Sequence, residues 1–222
     1  MPPKKPSGPR GEATYLRTAR GRSTSQQLWL RRQLNDPYVA AARAQGYRSR
    51  AAFKLIELDE KFHFIKPDCR VVDLGAAPGG WSQVAVQRGA SKVVGVDLLP
   101  IEPVAGAQLI QGDFNDEDMP ARLHALMGGP TNLVLSDMAP NTTGHTPTDH
   151  LRIMALADLA LAFAVTILSP GGVFVTKLFQ GGAERTMLTT LKQRFATVRH
   201  AKPPASRKES SELYVVATDF RP

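Results

Sequence analysis

Five apolar runs in this chain each end on a residue able to do chemistry. They are "RVVD" ending at Asp73, "KVVGVD" at Asp97, "AQLIQGD" at Asp113, "TNLVLSD" at Asp137 and "GGVFVTK" at Lys177. Four ends carry an acid and the fifth a lysine. In a parallel sheet the carboxyl ends of the strands open on one crevice, where such sheets bind ligands. At Asp97 a carboxylate can accept hydrogen bonds from both hydroxyls of a ribose. Asp113 followed by Phe114 offers an acceptor for an exocyclic amine and a flat apolar face for a ring, which suits adenine. Taken singly, each acid also reads as a turn or helix-capping residue. Together they describe an adenosine site ringed by negative charge. Such a ring repels a diphosphate and attracts a ligand with a cationic centre and an ammonium group. S-adenosylmethionine has both, and its sulfonium is the reactive point.

The turn inside "VVDLGAAPGGWSQ", Val71 to Gln83, agrees with that ligand. It lacks G-x-G-x-x-G and has no lysine after its glycines, so it matches neither a dinucleotide turn nor a P-loop. NAD is the competing ligand, and the missing fingerprint and the acids stand against it. Gly75, Gly79 and Gly80 allow close backbone approach, Pro78 stiffens the turn, and amide donors there can hold a carboxylate. On the acceptor side, Lys177 and Asp137 face one cleft, Lys54 lies on the helix before the first strand, and Glu212 begins the last strand. A lysine at the end of a buried strand is costly unless paired or used. A plain Lys177–Asp137 ion pair holding two strand ends together is the alternative reading.

These side chains need a scaffold, and the sequence alternates strand and helix patterns. Helices are expected at about 80–88, 116–127 and 148–168, with another in "AERTMLTTLKQRF". A further helix fits "SRAAFKLIELDEKFHFI", with Ser49 as N-cap, and a short one fits the leucines before Pro37. Alternation implies an α/β fold with a parallel sheet and right-handed crossovers. Only a loop separates "TVRHAKP" from "ELYVVATDF", so these strands are expected to pair antiparallel at one edge. The chain divides into a basic extension, residues 1–25, expected not to order alone, and one domain over residues 26–222.

The 222 residues carry a net charge of +8. In the first fifty, eleven Lys and Arg stand against Glu12 and Asp36, so the excess is concentrated there. Such a block points to a polyanion, RNA or DNA before an acidic membrane, with a solubilising tail as the alternative. Arg48 and Arg50 are expected to contact phosphates. A single cysteine, Cys69, excludes an internal disulfide framework and reads as a packed thiol in a reducing cytoplasm. The longest apolar stretch is interrupted by Asp158 and falls short of the ~18 residues of a membrane span. A monomer is expected, since no self-association stripe stands out.

The motifs "SRAAFKL", "VVDLGAAPGGWSQ", "VDLLP", "QGDF", "SDMAPN", "TKLFQG" and "SSELYVVAT" occur in this order from Ser49 to Thr218. In this the chain closely resembles the bacterial FtsJ/RrmJ-type ribosomal RNA 2′-O-methyltransferases. The resemblance implies a Rossmann-like, S-adenosylmethionine-dependent methyltransferase fold of seven strands, mostly parallel with the last antiparallel. It implies a catalytic tetrad on Lys54, Asp137, Lys177 and Glu212, and cofactor contacts at Gly79, Trp81, Asp97, Asp113 and Asp137. It implies methylation of a uridine ribose in 23S ribosomal RNA within the assembled large subunit. No metal is required, and His145 and His150, in the loop after "SDMAPN", read as solvated loop or helix-start residues. A transfer RNA 2′-O-methyltransferase and an RNA-binding assembly factor with a vestigial site are the other readings.

Overall fold

Strand-forming β-branched runs and amphipathic helices alternate as expected in the computed structural model, which describes residue 21 and residues 23–140, 144–179 and 185–222. The expected extension over residues 1–25 falls almost wholly outside the described residues. The first helix, α1 (Thr24–Leu34), starts from a capping box in which Ser23 and Gln26 each bond the other's backbone N–H. Pro37 does not simply end a helix; it opens α2 (Pro37–Ala44), with Asp36 as the cap accepting from the Tyr38 N–H. Proline suits this first position because its missing N–H has no partner there anyway. Next comes α3 (Ala51–Phe62), whose cap position is Arg50 and not Ser49, and no side chain caps it.

The remaining elements are β1 (Arg70–Leu74), α4 (Gly80–Gln87), β2 (Lys92–Asp97), β3 (Ala107–Gln111), α5 (Met119–Met127), β4 (Thr131–Ser136), α6 (Thr146–Ile167), β5 (Leu168–Phe179), α7 (Arg185–Arg194), β6 (Phe195–Ala201) and β7 (Glu212–Phe220). They build a seven-stranded sheet in the order β3-β2-β1-β4-β5-β7-β6. The pairs β2–β3, β1–β2, β1–β4 and β4–β5 are parallel, whereas β7 runs antiparallel to both β5 and β6. The last two strands pair as expected, but β7 also inserts beside β5. That insertion sets Tyr214 opposite Lys177 and Glu212 opposite Phe179.

Successive strand residues serve opposite faces of the sheet. Val72, Val94, Val134 and Val215 pack with α5, α6 and α7, while Val71, Val93, Leu133 and Val216 pack with α3 and α4. The apolar stretch expected to fall short of a membrane span lies in α6, which among the described residues is the one helix long and apolar enough to cross a membrane, Asp158 notwithstanding. Its Ile153, Ala157, Ala160 and Ala164 are buried in the sheet's core layer, and Leu151 and Leu159 remain exposed.

Candidate functional site

The carboxyl ends of β4 and β5 bring Asp137 and Lys177 into contact. The Lys177 ammonium lies 2.9 Å from Asp137 Oδ1 and donates to the Asp137 carbonyl at 2.6 Å. Asp137 in turn is anchored by its own N–H, which donates to the Leu74 carbonyl at the end of β1. Across the sheet edge, Lys54 of α3 pairs with Glu212 at the start of β7, 2.9 Å apart. Lys54, Lys177, Asp137 and Glu212, expected to act together, thus form one cluster, with the Lys177 side chain 7% exposed.

The two pairs are joined by Tyr214, which sequence reasoning did not single out. Its hydroxyl donates to Asp137 Oδ1 at 2.8 Å and accepts from the Lys54 ammonium at 3.2 Å. The signal was there in "ELY": residues two apart on a strand share a face, so Tyr214 must stand beside Glu212. Burial drives the Tyr214 phenol well above its ordinary range, with the Asp137 and Glu212 carboxylates adding to it. Burial would also raise Asp137, but the charges of Lys177 and Lys54, with hydrogen bonds from Lys177 and Tyr214, outweigh it and hold that carboxyl below its usual value. The cluster therefore sets two acids and two lysines together, largely out of bulk water, at the edge of the crevice.

Beside it, a cleft at the ends of β1, β2 and β3 is lined by Gly75, Asp97, Leu98, Asp113, Phe114 and Met138, among others. Gly75 adopts a φ of +79°, and a Cβ there would lie 2.9 Å from the Met138 backbone. Only glycine fits both demands. Asp97 receives the Ala77 N–H on one carboxylate oxygen and the Leu99 N–H on the other, tying the glycine-rich turn to β2. Asp113 takes the backbone and side-chain N–H of Asn115 on Oδ1, and these bonds hold its carboxyl below the usual range. Phe114 meets Phe163 edge to face at 5.6 Å.

The turn around Pro78, whose peptide bond is cis, ends at Gly79, the cap of α4. Gly79 has a φ of +104°, and a Cβ there would press on Val104 and Arg48. The first intrahelical bond runs from Gln83 to Gly79, so the N–H groups of Gly80 and Trp81 have no acceptor within the helix. Trp81 itself is placed differently from the expectation. Its indole is 3% exposed, donates to the Ala51 carbonyl and lies 5.7 Å from the Tyr214 ring. The side chain braces α4 against α3 beside the Tyr214 ring.

Behind the turn, Asp73 is wholly buried and accepts from the Ser82 hydroxyl at 2.7 Å, while its Oδ1 has no partner among the described residues. Burial, with the Asp137 and Asp97 charges in support, raises its carboxyl to about 7. Arg48 and Arg50 are not free phosphate ligands. Arg48 reaches the carbonyls of Pro78, Glu102 and Pro103, clamping the glycine-rich turn to the segment before β3. Arg50 pairs with Asp36 at 3.0 Å and with the Ala205 carbonyl. Cys69 is buried, and burial pushes its thiol up. His145 sits at the cap of α6 with Nδ1 2.8 Å from the Thr148 hydroxyl, and the buried Nε2 of His150 has no partner among the described residues.

A sequence profile described as FtsJ-like methyltransferase matches residues 47–220. The chain is 70% identical over 217 residues to the ribosomal RNA large subunit methyltransferase E of Granulibacter bethesdensis, covering 98% of this chain and 94% of that one. It is 66% identical to the protein of the same description from Gluconobacter oxydans, covering 96% and 80%. A crystal structure described as a ribosomal RNA methyltransferase of Plasmodium falciparum superposes with a TM-score of 0.70 at 32% identity, covering 78% of this chain and 98% of that one.

Proposed function

We propose that this chain, which belongs to the FtsJ-like methyltransferase family, moves a methyl group from S-adenosylmethionine to the ribose 2′-hydroxyl of a uridine in 23S ribosomal RNA of the large subunit. The observation that carries the reading is the Lys177–Asp137 pair, bridged by Tyr214 to Lys54–Glu212, next to an acid-lined cleft. The cleft's donor set fits the cofactor. Asp97 suits its ribose hydroxyls, Asp113 and Phe114 its adenine, and the Gly80 and Trp81 amides its carboxylate. Asp137 suits its ammonium group. When bound, the cofactor supplies a methyl group on a sulfonium, a leaving group already activated by its charge.

The chain's residues then have to place the ribose oxygen in line and bear the charge that develops on it. Lys177 gives two N–H groups to Asp137 and keeps its third for the 2′-oxygen. Held this way, the ammonium orients the hydroxyl and stabilises negative charge as the C–O bond forms. Asp137 fixes the direction of Lys177, Tyr214 fixes Asp137, and Lys54 with Glu212 places the ribose. Solvent would take the proton that the hydroxyl gives up as the oxygen accepts the methyl group. The alternative role for Lys177 is that of a neutral general base that takes the hydroxyl proton itself.

The substrate assignment rests on the relatives' description and on the resemblance, and it puts the protein at work on large subunits in the cytoplasm. Mapping ribose methylation in cells with and without the protein tests it. One uridine of 23S ribosomal RNA should lose its methyl group. An unchanged ribosomal pattern with a lost transfer RNA methyl group would overturn the substrate. Failure of the purified protein to bind S-adenosylmethionine would leave an RNA-binding factor as the better reading.

A further inference from the structure

A recess of ≈ 280 Å³ opens beside Lys54 and shares no lining residue with the cleft at the ends of β1, β2 and β3. It is lined by Gln33, Arg50, Lys54, Arg207, Ser210 and Glu212 among others. Lys54 is neutralised by Glu212 at 2.9 Å. The two guanidiniums share a single carboxylate, Asp36, so the recess holds one positive charge in excess. The sharing is unequal. Arg50 sits 3.0 Å from Asp36 and also reaches the Ala205 carbonyl, whereas Arg207 stands 3.6 Å from the same carboxylate oxygen.

We propose that this recess seats a backbone phosphate of the RNA substrate beside the methylated ribose, and that Asp36 holds Arg207 in place until the phosphate arrives. The proposal rests on the reading of the site as an RNA ribose methyltransferase. A guanidinium matches a phosphodiester in shape and charge and binds it by paired hydrogen bonds. Arg207 is the group free to do so: its contact with Asp36 lies outside hydrogen-bond range, and its side chain is 30% exposed against 16% for Arg50. The loop that carries it is pinned on both sides. Glu57, buried on α3, accepts the Ala205 N–H at 2.6 Å, and Lys202 donates to the Lys208 and Ser210 carbonyls. Arg207 is thus presented by a fixed loop, and release from Asp36 needs only a rotamer change. Because Lys54 forms one wall, a phosphate here belongs to the nucleotide being methylated or to its neighbour.

Binding of large ribosomal subunits from cells lacking this protein tests the proposal, with affinity followed across salt concentrations for the wild type, Arg207→Ala and Asp36→Asn. Cofactor affinity serves as the measure of folding, and asparagine keeps the cap of α2. Arg207→Ala should weaken binding about tenfold at low salt and flatten the dependence of log K on log salt by about 0.7 to 0.9, one phosphate contact. Asp36→Asn should keep the wild-type slope and bind several-fold tighter. An Arg207→Ala protein with wild-type cofactor affinity, subunit affinity and salt slope would overturn the proposal, leaving Arg207 as a tie between the loop and α2. If the wild type binds subunits but transfers no methyl group, the proposed reaction fails while the salt slopes still decide the phosphate site.

Discussion

Replacing Asp73 by Asn should change how stability depends on pH more than it changes stability at any one pH. The wild-type carboxyl is wholly buried, has one unpartnered oxygen, and is raised from 3.8 to about 7. Between those values the folded state keeps a proton that the unfolded chain has lost, so stability falls as pH rises through this window and levels off above pH 7. At ~1.4 kcal/mol per pH unit, the loss between pH 5 and pH 8 comes to about 2.5 kcal/mol. Asparagine keeps an acceptor for the Ser82 hydroxyl and cannot ionise. It also puts an amide donor where Oδ1 has no partner, which costs about 1–3 kcal/mol at every pH. The variant should therefore be the weaker protein at pH 5 and gain on the wild type by about 2.5 kcal/mol by pH 8. Urea unfolding of both proteins at pH 5, 6, 7 and 8 reads this directly, because titrations elsewhere cancel in the difference. A difference that stays constant with pH would refute the reasoning, since it would mean that Asp73 is ionised throughout.

Tyr214→Phe removes the donor to Asp137 and the link to Lys54 while keeping the ring against Trp81. Losing a hydrogen bond to a charged group is worth about 1.5–3 kcal/mol, so methyl transfer should slow roughly tenfold to a hundredfold with cofactor affinity little changed; unchanged rates in single-turnover assays would remove Tyr214 from the cluster's workings. Gly75→Ala places a Cβ 2.9 Å from the Met138 backbone at a φ of +79°. It should weaken S-adenosylmethionine binding at least tenfold by calorimetry while urea unfolding drops by about 1–3 kcal/mol; intact cofactor affinity would detach Gly75 from the cleft.

Five of the strands were legible because each carries a short apolar run with an acid or a lysine at or near its end. What the sequence hid was mostly non-local. Chain order pairs β6 with β7, but nothing in it says that β7 slides between β6 and β5 and so sets Tyr214 beside Lys177. The arginines misled for a similar reason. A surface phosphate ligand and an internal carbonyl clamp have the same composition, and only the fold shows Arg48 reaching Pro78 and Glu102. The resemblance makes Trp81 a cofactor contact, whereas its indole turns inward to the Ala51 carbonyl. Pro37 marked a boundary correctly but was read as an end, although Asp36 before it signals a start.

The account stands or falls on Lys177 as the group that handles the 2′-hydroxyl. Single-turnover methyl transfer to unmodified large subunits, with the cofactor saturating, should fall at least a hundredfold in both Lys177→Ala and Lys177→Arg. Both variants should still bind S-adenosylmethionine. Near-wild-type transfer rates in both would contradict the account.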